Sequence, residues 1–205
     1  MDTQALYTQR RSVGSFDSNK KLDDTLLKQI IDTAVLAPSA FNLQPWRLIV
    51  VKSAEAKQKL FDLSNKQPKV LEAPAVLILV GNKEGYAESN PVWNEMLQSV
   101  GGNTEIVDGA KGAAAYLYGT TEERKLKFAE SNTGLLAMSL MIVAKDLGVD
   151  THPMTGIDFD GIHKAFGLAE AETVVMTIAI GYANTEKPLY PRRPRRGFNE
   201  IASVV

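Results

Sequence analysis

The chain contains no cysteine. That excludes disulfide cross-links, thiolate nucleophiles and cysteine-bound zinc. Any redox chemistry must therefore come from a bound cofactor. Histidine is scarce as well, with 2 in 205 residues. His152 and His163 show no metal-ligand spacing with carboxylates or with each other, so structural or exposed roles are expected for both. Neither sign of charge is in excess. The formal net charge is −1, so the whole molecule is no electrostatic trap for nucleic acid or membrane. No apolar run approaches the ~20 residues of a membrane-spanning helix. The polar opening, Met1 to Tyr7, lacks the apolar stretch of a signal peptide. A soluble cytoplasmic protein is expected. Also missing are a Gly-x-Ser-x-Gly elbow, a phosphate loop ending Gly-Lys-Ser/Thr and a Gly-x-Gly-x-x-Gly turn, which leaves hydrolase, P-loop and Rossmann readings without support. What is present is 44% hydrophobic residues, enough for one packed domain over residues 1–205 without linker or repeat.

Along the chain, Leu22, Leu26, Leu27, Ile30, Ile31, Ala34 and Val35 recur at the spacing of a helix with one buried face. Asp23 and Asp24 suit its start, and Pro38 ends it. Leu48 to Val51 reads as a strand, and Ser53 to Asn65 as a helix. Ala75 to Val80 is continuously apolar and stops at Gly81, which predicts a strand buried on both faces. Helices are expected between Tyr86 and Tyr118, where four glycines interrupt the pattern. Glu122 to Leu147 reads as one long helix. Its second half, Leu135 to Val143, is apolar nearly all round and is expected to lie between subunits. Asp158 to Phe166 is a short helix, and Thr173 to Ile180 a β-branched strand. After Gly181 three prolines and no helical period predict an extended tail. This alternation gives an α/β or α+β sandwich.

Four segments carry chemistry. Arg10-Arg11-Ser12 sets a hydroxyl beside paired guanidiniums, a combination suited to phosphate, though for this segment alone a solvated charge pair is the simpler reading. Ala37-Pro38-Ser39-Ala40-Phe41-Asn42-Leu43-Gln44-Pro45-Trp46 is a stiff connector dense in hydrogen-bonding groups, suited to holding a planar polar ligand. Gln67-Pro68-Lys69 precedes the buried strand. Arg192-Arg193-Pro194-Arg195-Arg196 offers a rigid basic tail to an anion. Asn132 in the long helix and Thr155-Gly156 in a turn are further candidates, each with an ordinary structural alternative.

Together these segments resemble the nitroreductase family of flavin enzymes over nearly the whole chain. Arg10-Arg11-Ser12-Val13 with Phe16 resembles its opening motif. Ala37 to Ala40 with Asn42, Gln44, Pro45 and Trp46 resembles its second and most specific one. Leu147-Gly148 through Gly156 resembles its third. The arginines before Gly197-Phe198-Asn199-Glu200-Ile201 resemble its C-terminal motif. The resemblance implies an α+β fold, with a central mixed β-sheet flanked by helices and an extended C-terminal tail exchanged in a homodimer. It implies FMN at the subunit interface. Arg10, Arg193 and Arg195 would lie near the phosphate, with Arg11 and Ser12 along the phosphate, ribityl chain and ring edge. Pro38, Ser39, Ala40 and Asn42 would reach the flavin from the partner subunit. Gln67, Lys69 and Asn132 would contact the pyrimidine side, and the backbone at Thr155 and Gly156 the flavin N5 and O4. Gly14 stands where the family usually has a lysine or arginine. Losing that cation should destabilise a reduced anion, and Lys69 is the candidate to replace it.

The implied function is FMN-dependent oxidoreduction. NADH or NADPH is the reductant, and a nitroaromatic or quinone the small-molecule acceptor, in a ping-pong sequence. No side chain is nominated as acid, base or nucleophile, because the flavin carries the chemistry. Phe41 is the candidate for shaping the substrate side. Neither a nucleic-acid nor a membrane partner is expected. Two alternatives stand beside this reading. One is a same-fold flavoenzyme with dehydrogenase or dehalogenase chemistry. The other is a non-catalytic module that binds a polyanion through its basic tail.

Overall fold

The computed structural model describes residues 2–205. Three antiparallel strand pairings build a four-stranded sheet in the order β1-β2-β4-β3. β1 is Trp46–Val51, β2 Ala75–Asn82, β3 Asp150–Met154 and β4 Glu172–Gly181. Within the chain the expected mixed sheet is thus antiparallel. Its parallel component is a single bridge, Ser12 with Thr151. The reason is local: β3 and β4 are joined through one short helix, and β4 returns beside β2 in the opposite sense.

β2 explains the layering. Consecutive strand residues point to opposite faces. Val76, Ile78 and Val80 accordingly join a core with Leu60, Val70 and Ile162. Ala75, Leu77 and Leu79 join another with Leu27, Ile30, Leu136 and Leu140. The first core lies under α3 (Ala54–Asp62), α4 (Lys69–Glu72) and α8 (Phe159–Ala165); the second lies under α2 (Asp24–Ala34) and α7 (Glu122–Asp146). A strand apolar on both faces can be stable only in this middle layer. At its end a side chain on Gly81 would come within 3.1 Å of Ala129 and Thr133 on α7, so glycine allows the helix to seat against the sheet.

The predicted helices form close to their expected limits. Asp23 caps α2 by accepting from the Thr25 and Leu26 amides, which confirms the start read from its charge. α5 (Val92–Ser99) and α6 (Thr104–Tyr118) occupy the difficult middle region. They build a third core around Trp93, Phe128 and Leu43. In α7 one face, with Leu136, Ala137, Leu140 and Ala144, is buried in the chain, while Leu135 is 48% exposed. The expectation of an all-round buried segment therefore holds for one face within the single chain.

The tail leaves β4 and runs back over the sheet edge. Phe16 bridges Ala183, and the Asn184 amide donates to the Ser15 carbonyl at 3.0 Å. Farther on, Arg192 Nη2 donates to the carbonyls of Thr8 and Arg10, at the C-terminal end of α1 (Thr3–Gln9). Beyond Arg192 every residue is exposed, including the apolar Phe198 and Ile201 of the last turn, α9 (Phe198–Ile201).

Candidate functional site

Three groups of predicted residues emerge. The first lines a cavity of about 470 Å³ beside the Ser12–Thr151 bridge. Arg11, Ser12 and Lys69 all face it, with Gly14, Glu72 and His152. The Arg10–Phe16 segment is held there from both sides. The Val13 amide donates to the Thr151 carbonyl at 3.2 Å. On the other side, Glu72 Oε2 accepts from the Ser15 hydroxyl at 2.8 Å and the Phe16 amide at 2.9 Å. Lys187, Leu189 and Tyr190 of the tail complete the rim, and Arg11 Nη2 donates to the Tyr190 carbonyl at 2.5 Å.

Gln67 and Gly156 adjoin this cavity through hydrogen bonds. Lys69 Nζ donates to Gln67 Oε1 at 3.2 Å, and Gln67 Nε2 donates to the Gly156 carbonyl at 3.1 Å. Asn65, absent from the sequence reading, donates to the same carbonyl at 3.0 Å. Its φ of 49° lies in the left-handed region, which asparagine tolerates better than most residues. An asparagine between a helix and a proline turn is a signal that could have marked it. Thr155 is exposed beside Gly156.

The second group is a basic pocket, about 600 Å³, next along the same segment. Arg10, Arg192 and Arg195 line it with Tyr7 and Met138. Burial, and then repulsion from Arg192, Arg195 and Arg11, lowers the Arg10 pKa from its ordinary value. Among the described residues no carboxylate forms an ion pair with these guanidiniums. Gathered like charges without a counter-ion are a site for an anion. Arg193 does not line the pocket; its carbonyl accepts from Arg195 Nη1. Arg192, from the same tail segment, does line it.

The third group is the connector. It lies away from both cavities within the chain, sharing no lining residue with them. Phe41, Asn42 and Gln44 all have positive φ, at 51°, 56° and 47°. Non-glycine residues in this region cost of order 1–3 kcal/mol each unless the surroundings impose them. Here they do. Ser39 Oγ accepts from the Gln44 amide at 3.0 Å, and Asn132 Oδ1 from the Ala40 amide at 2.9 Å. Phe41 packs between Trp93 and Tyr118, with ring centroids 6.4 and 6.3 Å away. Pro38 introduces the segment. Asn132 is 5% exposed and also donates to the Phe128 carbonyl, so the structure places it with the connector rather than with Gln67 and Lys69.

In the first cavity the ammonium of Lys69 is lowered in pKa by burial, partly offset by Glu72. His152 is lowered by burial and then by Lys69, against an opposing hydrogen bond to Val13. Among the described residues no group of three or more histidines and carboxylates could hold a metal ion. No helix among them is long and apolar enough to cross a membrane.

A cleft lined by guanidinium, ammonium and hydroxyl groups suits a protein that holds an anionic group. The family model described as "Nitroreductase family" matches residues 7–182, and the chain belongs to that family. It is an oxidoreductase. It is 33% identical over 202 residues to MhqN of Bacillus subtilis strain 168, an NAD(P)H nitroreductase by name, covering 98% of this chain and 97% of that one. It is 35% identical over 188 residues to the CLA biosynthesis enone reductase of Lactiplantibacillus plantarum, covering 90% and 86%. Among solved structures it resembles a nitroreductase by name from Exiguobacterium sibiricum 255-15 in complex with FMN. The TM-score is 0.83 at 31% identity, over 99% and 97% of the two chains.

Proposed function

We propose that this protein is an FMN-dependent NAD(P)H oxidoreductase that reduces flat, electron-poor acceptors by two electrons. The observation that carries this reading is the pair of cavities lined by successive residues of the Arg10–Ser15 segment. One is lined by guanidiniums that form no ion pair with a carboxylate among the described residues; the other is lined by hydroxyl, amide, imidazole and ammonium groups. An anionic end joined to a polar ring system fits that donor set.

In this reading Arg10 and Arg195 hold the phosphate with Arg192 beside them, while Arg193 stays at the rim. Arg11 and Ser12 follow the ribityl chain. Lys69 and Gln67 face the pyrimidine edge, and the Thr155–Gly156 backbone lies near N5 and O4. FMN, when bound, supplies reversible two-electron redox chemistry, with NADH or NADPH as source and the acceptor as sink. The chain contributes binding, orientation and electrostatics. One pocket used in turn by reductant and acceptor gives the ping-pong order. A quinone, NAD(P)H and a proton then yield a hydroquinone and NAD(P)+. Nitroaromatics and quinones are the proposed acceptors. Conjugated enones join them because of the enone-reductase relative.

The protein is proposed to act as a homodimer. Pro38, Ser39, Ala40 and Asn42 then serve the partner's flavin, with Phe41 on the substrate side. The exposed apolar tail end, with Phe198 and Ile201 at 66% and 72%, is the segment available for exchange. The test is an absorbance spectrum of purified protein under anaerobic conditions. Flavin bands that bleach with NADH or NADPH, and return with a quinone or nitroaromatic, are the expected result. A colourless protein that cannot be reconstituted with FMN overturns the reading.

A further inference from the structure

His152 lines the first cavity beside Ser12, Gly14 and Lys69, yet the reading above gives it no task. Its ring is fixed by Val13, whose carbonyl lies 2.8 Å from Nδ1. A carbonyl only accepts, so Nδ1 carries the proton and Nε2 is the nitrogen left for the cavity. The same Val13 donates its amide to Thr151, the next residue back on β3. Ring and Arg11–Ser12 segment are therefore one positioned unit.

The charges around the ring are mostly positive. Arg11 faces it from its own segment, Lys69 and Glu72 from α4, and Lys187 with Tyr190 from the tail. On β3, Asp150 is occupied by Lys145 at 3.0 Å and by the Ala183 amide. On β4 the register partner is the uncharged Ala179. Glu72 is likewise engaged, by Ser15 and Phe16. In the free protein this setting disfavours a second cation at the ring.

We propose that His152 is a ligand-binding residue of this cleft. It offers Nε2 to the polar atoms of FMN, as an acceptor while neutral and as a donor once protonated. The proposal rests on the FMN reading above. Its sign follows from linkage. An anionic ligand offsets the surrounding positive charge, so the complex holds the His152 proton to higher pH than the free protein. The complex then binds more protons than its parts, and affinity rises as pH falls through the histidine range.

The experiment is an NMR titration of the imidazole signals from about pH 5.5 to about pH 8, the span in which histidine changes charge, with and without saturating FMN. The chain has 2 histidines, and His163 is an internal control, bonded through Nε2 to Ala169 at 3.0 Å outside the cleft. Expected is an upward move of the His152 midpoint on adding FMN, with His163 unmoved. Two variants add a binding readout. In His152→Asn the amide can still reach Val13 but nothing replaces Nε2; FMN should bind about threefold to tenfold more weakly. In His152→Gln the amide reaches the Nε2 position, so affinity should recover without the proton-linked part. The FMN phosphate, with a pKa of about 6 when free, adds its own pH dependence to binding in wild type and variants alike, so the difference between variant and wild type is what is read. A His152 midpoint indifferent to FMN, or wild-type affinity in His152→Asn throughout, overturns the assignment while leaving the FMN reading intact. Failure of the wild type to bind FMN overturns both. Should His152→Asn not fold, the wild-type titration decides alone.

Discussion

Asn132 shows what a residue's identity conveys and what only its neighbours reveal. A polar side chain three residues before an apolar helical run was compatible with solvent or with a cleft. In the fold it is buried, and its two ends join the Ala40 amide to the Phe128 carbonyl. Arg11, Ser12 and Lys69 were nominated through the family resemblance, since each segment alone reads as readily as solvated surface, and the fold brings all three to one cavity. His152 and Asn65 were not, since their partners lie 139 and 91 residues away in sequence. The Asn132→Ala variant should leave the Ala40 amide without an acceptor and destabilise the protein by about 1–3 kcal/mol. Urea unfolding at a fixed FMN concentration checks this. If the unfolding midpoint is unchanged while FMN affinity falls, Asn132 is a flavin contact and its assignment to the connector is wrong.

At the scale of elements, legibility followed burial. The unbroken apolar run of β2 could be read directly because both its faces are covered. β3 carries Pro153 and His152 and resembles a turn in sequence. It is a strand because it lies at the edge of the sheet, where proline is tolerated. Between α5 and α6, Gly101 and Gly102 take positive φ and make the break, whereas Gly109 and Gly112 sit inside α6. Composition alone could not separate the two pairs. α7 carries the element-scale prediction. Its inner face is filled by its own chain, yet Leu135, at the start of the apolar stretch, is 48% exposed. Leu135→Arg changes a side chain outside the buried core of the single chain. If that face is a subunit interface, the variant should sediment as a monomer with unchanged secondary structure by circular dichroism. An unaltered dimer would show that the interface lies elsewhere.

The whole molecule presents a division that no single residue explains. The cleft residues and the connector residues line no common cavity within one chain, and the connector is braced in positive-φ backbone. In the proposed homodimer each connector would instead be set against the partner's cleft. The proposal can be tested by complementation. Ser12→Asp should close one cleft to an anionic ligand while leaving that chain's connector intact. Asn42→Trp should block one connector while leaving that chain's cleft intact. Each homodimer is then expected to be inactive and free of FMN. After mixing through reversible unfolding, half of the dimers are mixed, and each mixed dimer holds one site built from two intact halves. Recovery should therefore approach about one quarter of the wild-type FMN content and activity per site. If the connector served the flavin of its own chain, no mixed dimer would contain an intact site, and the mixture would stay colourless.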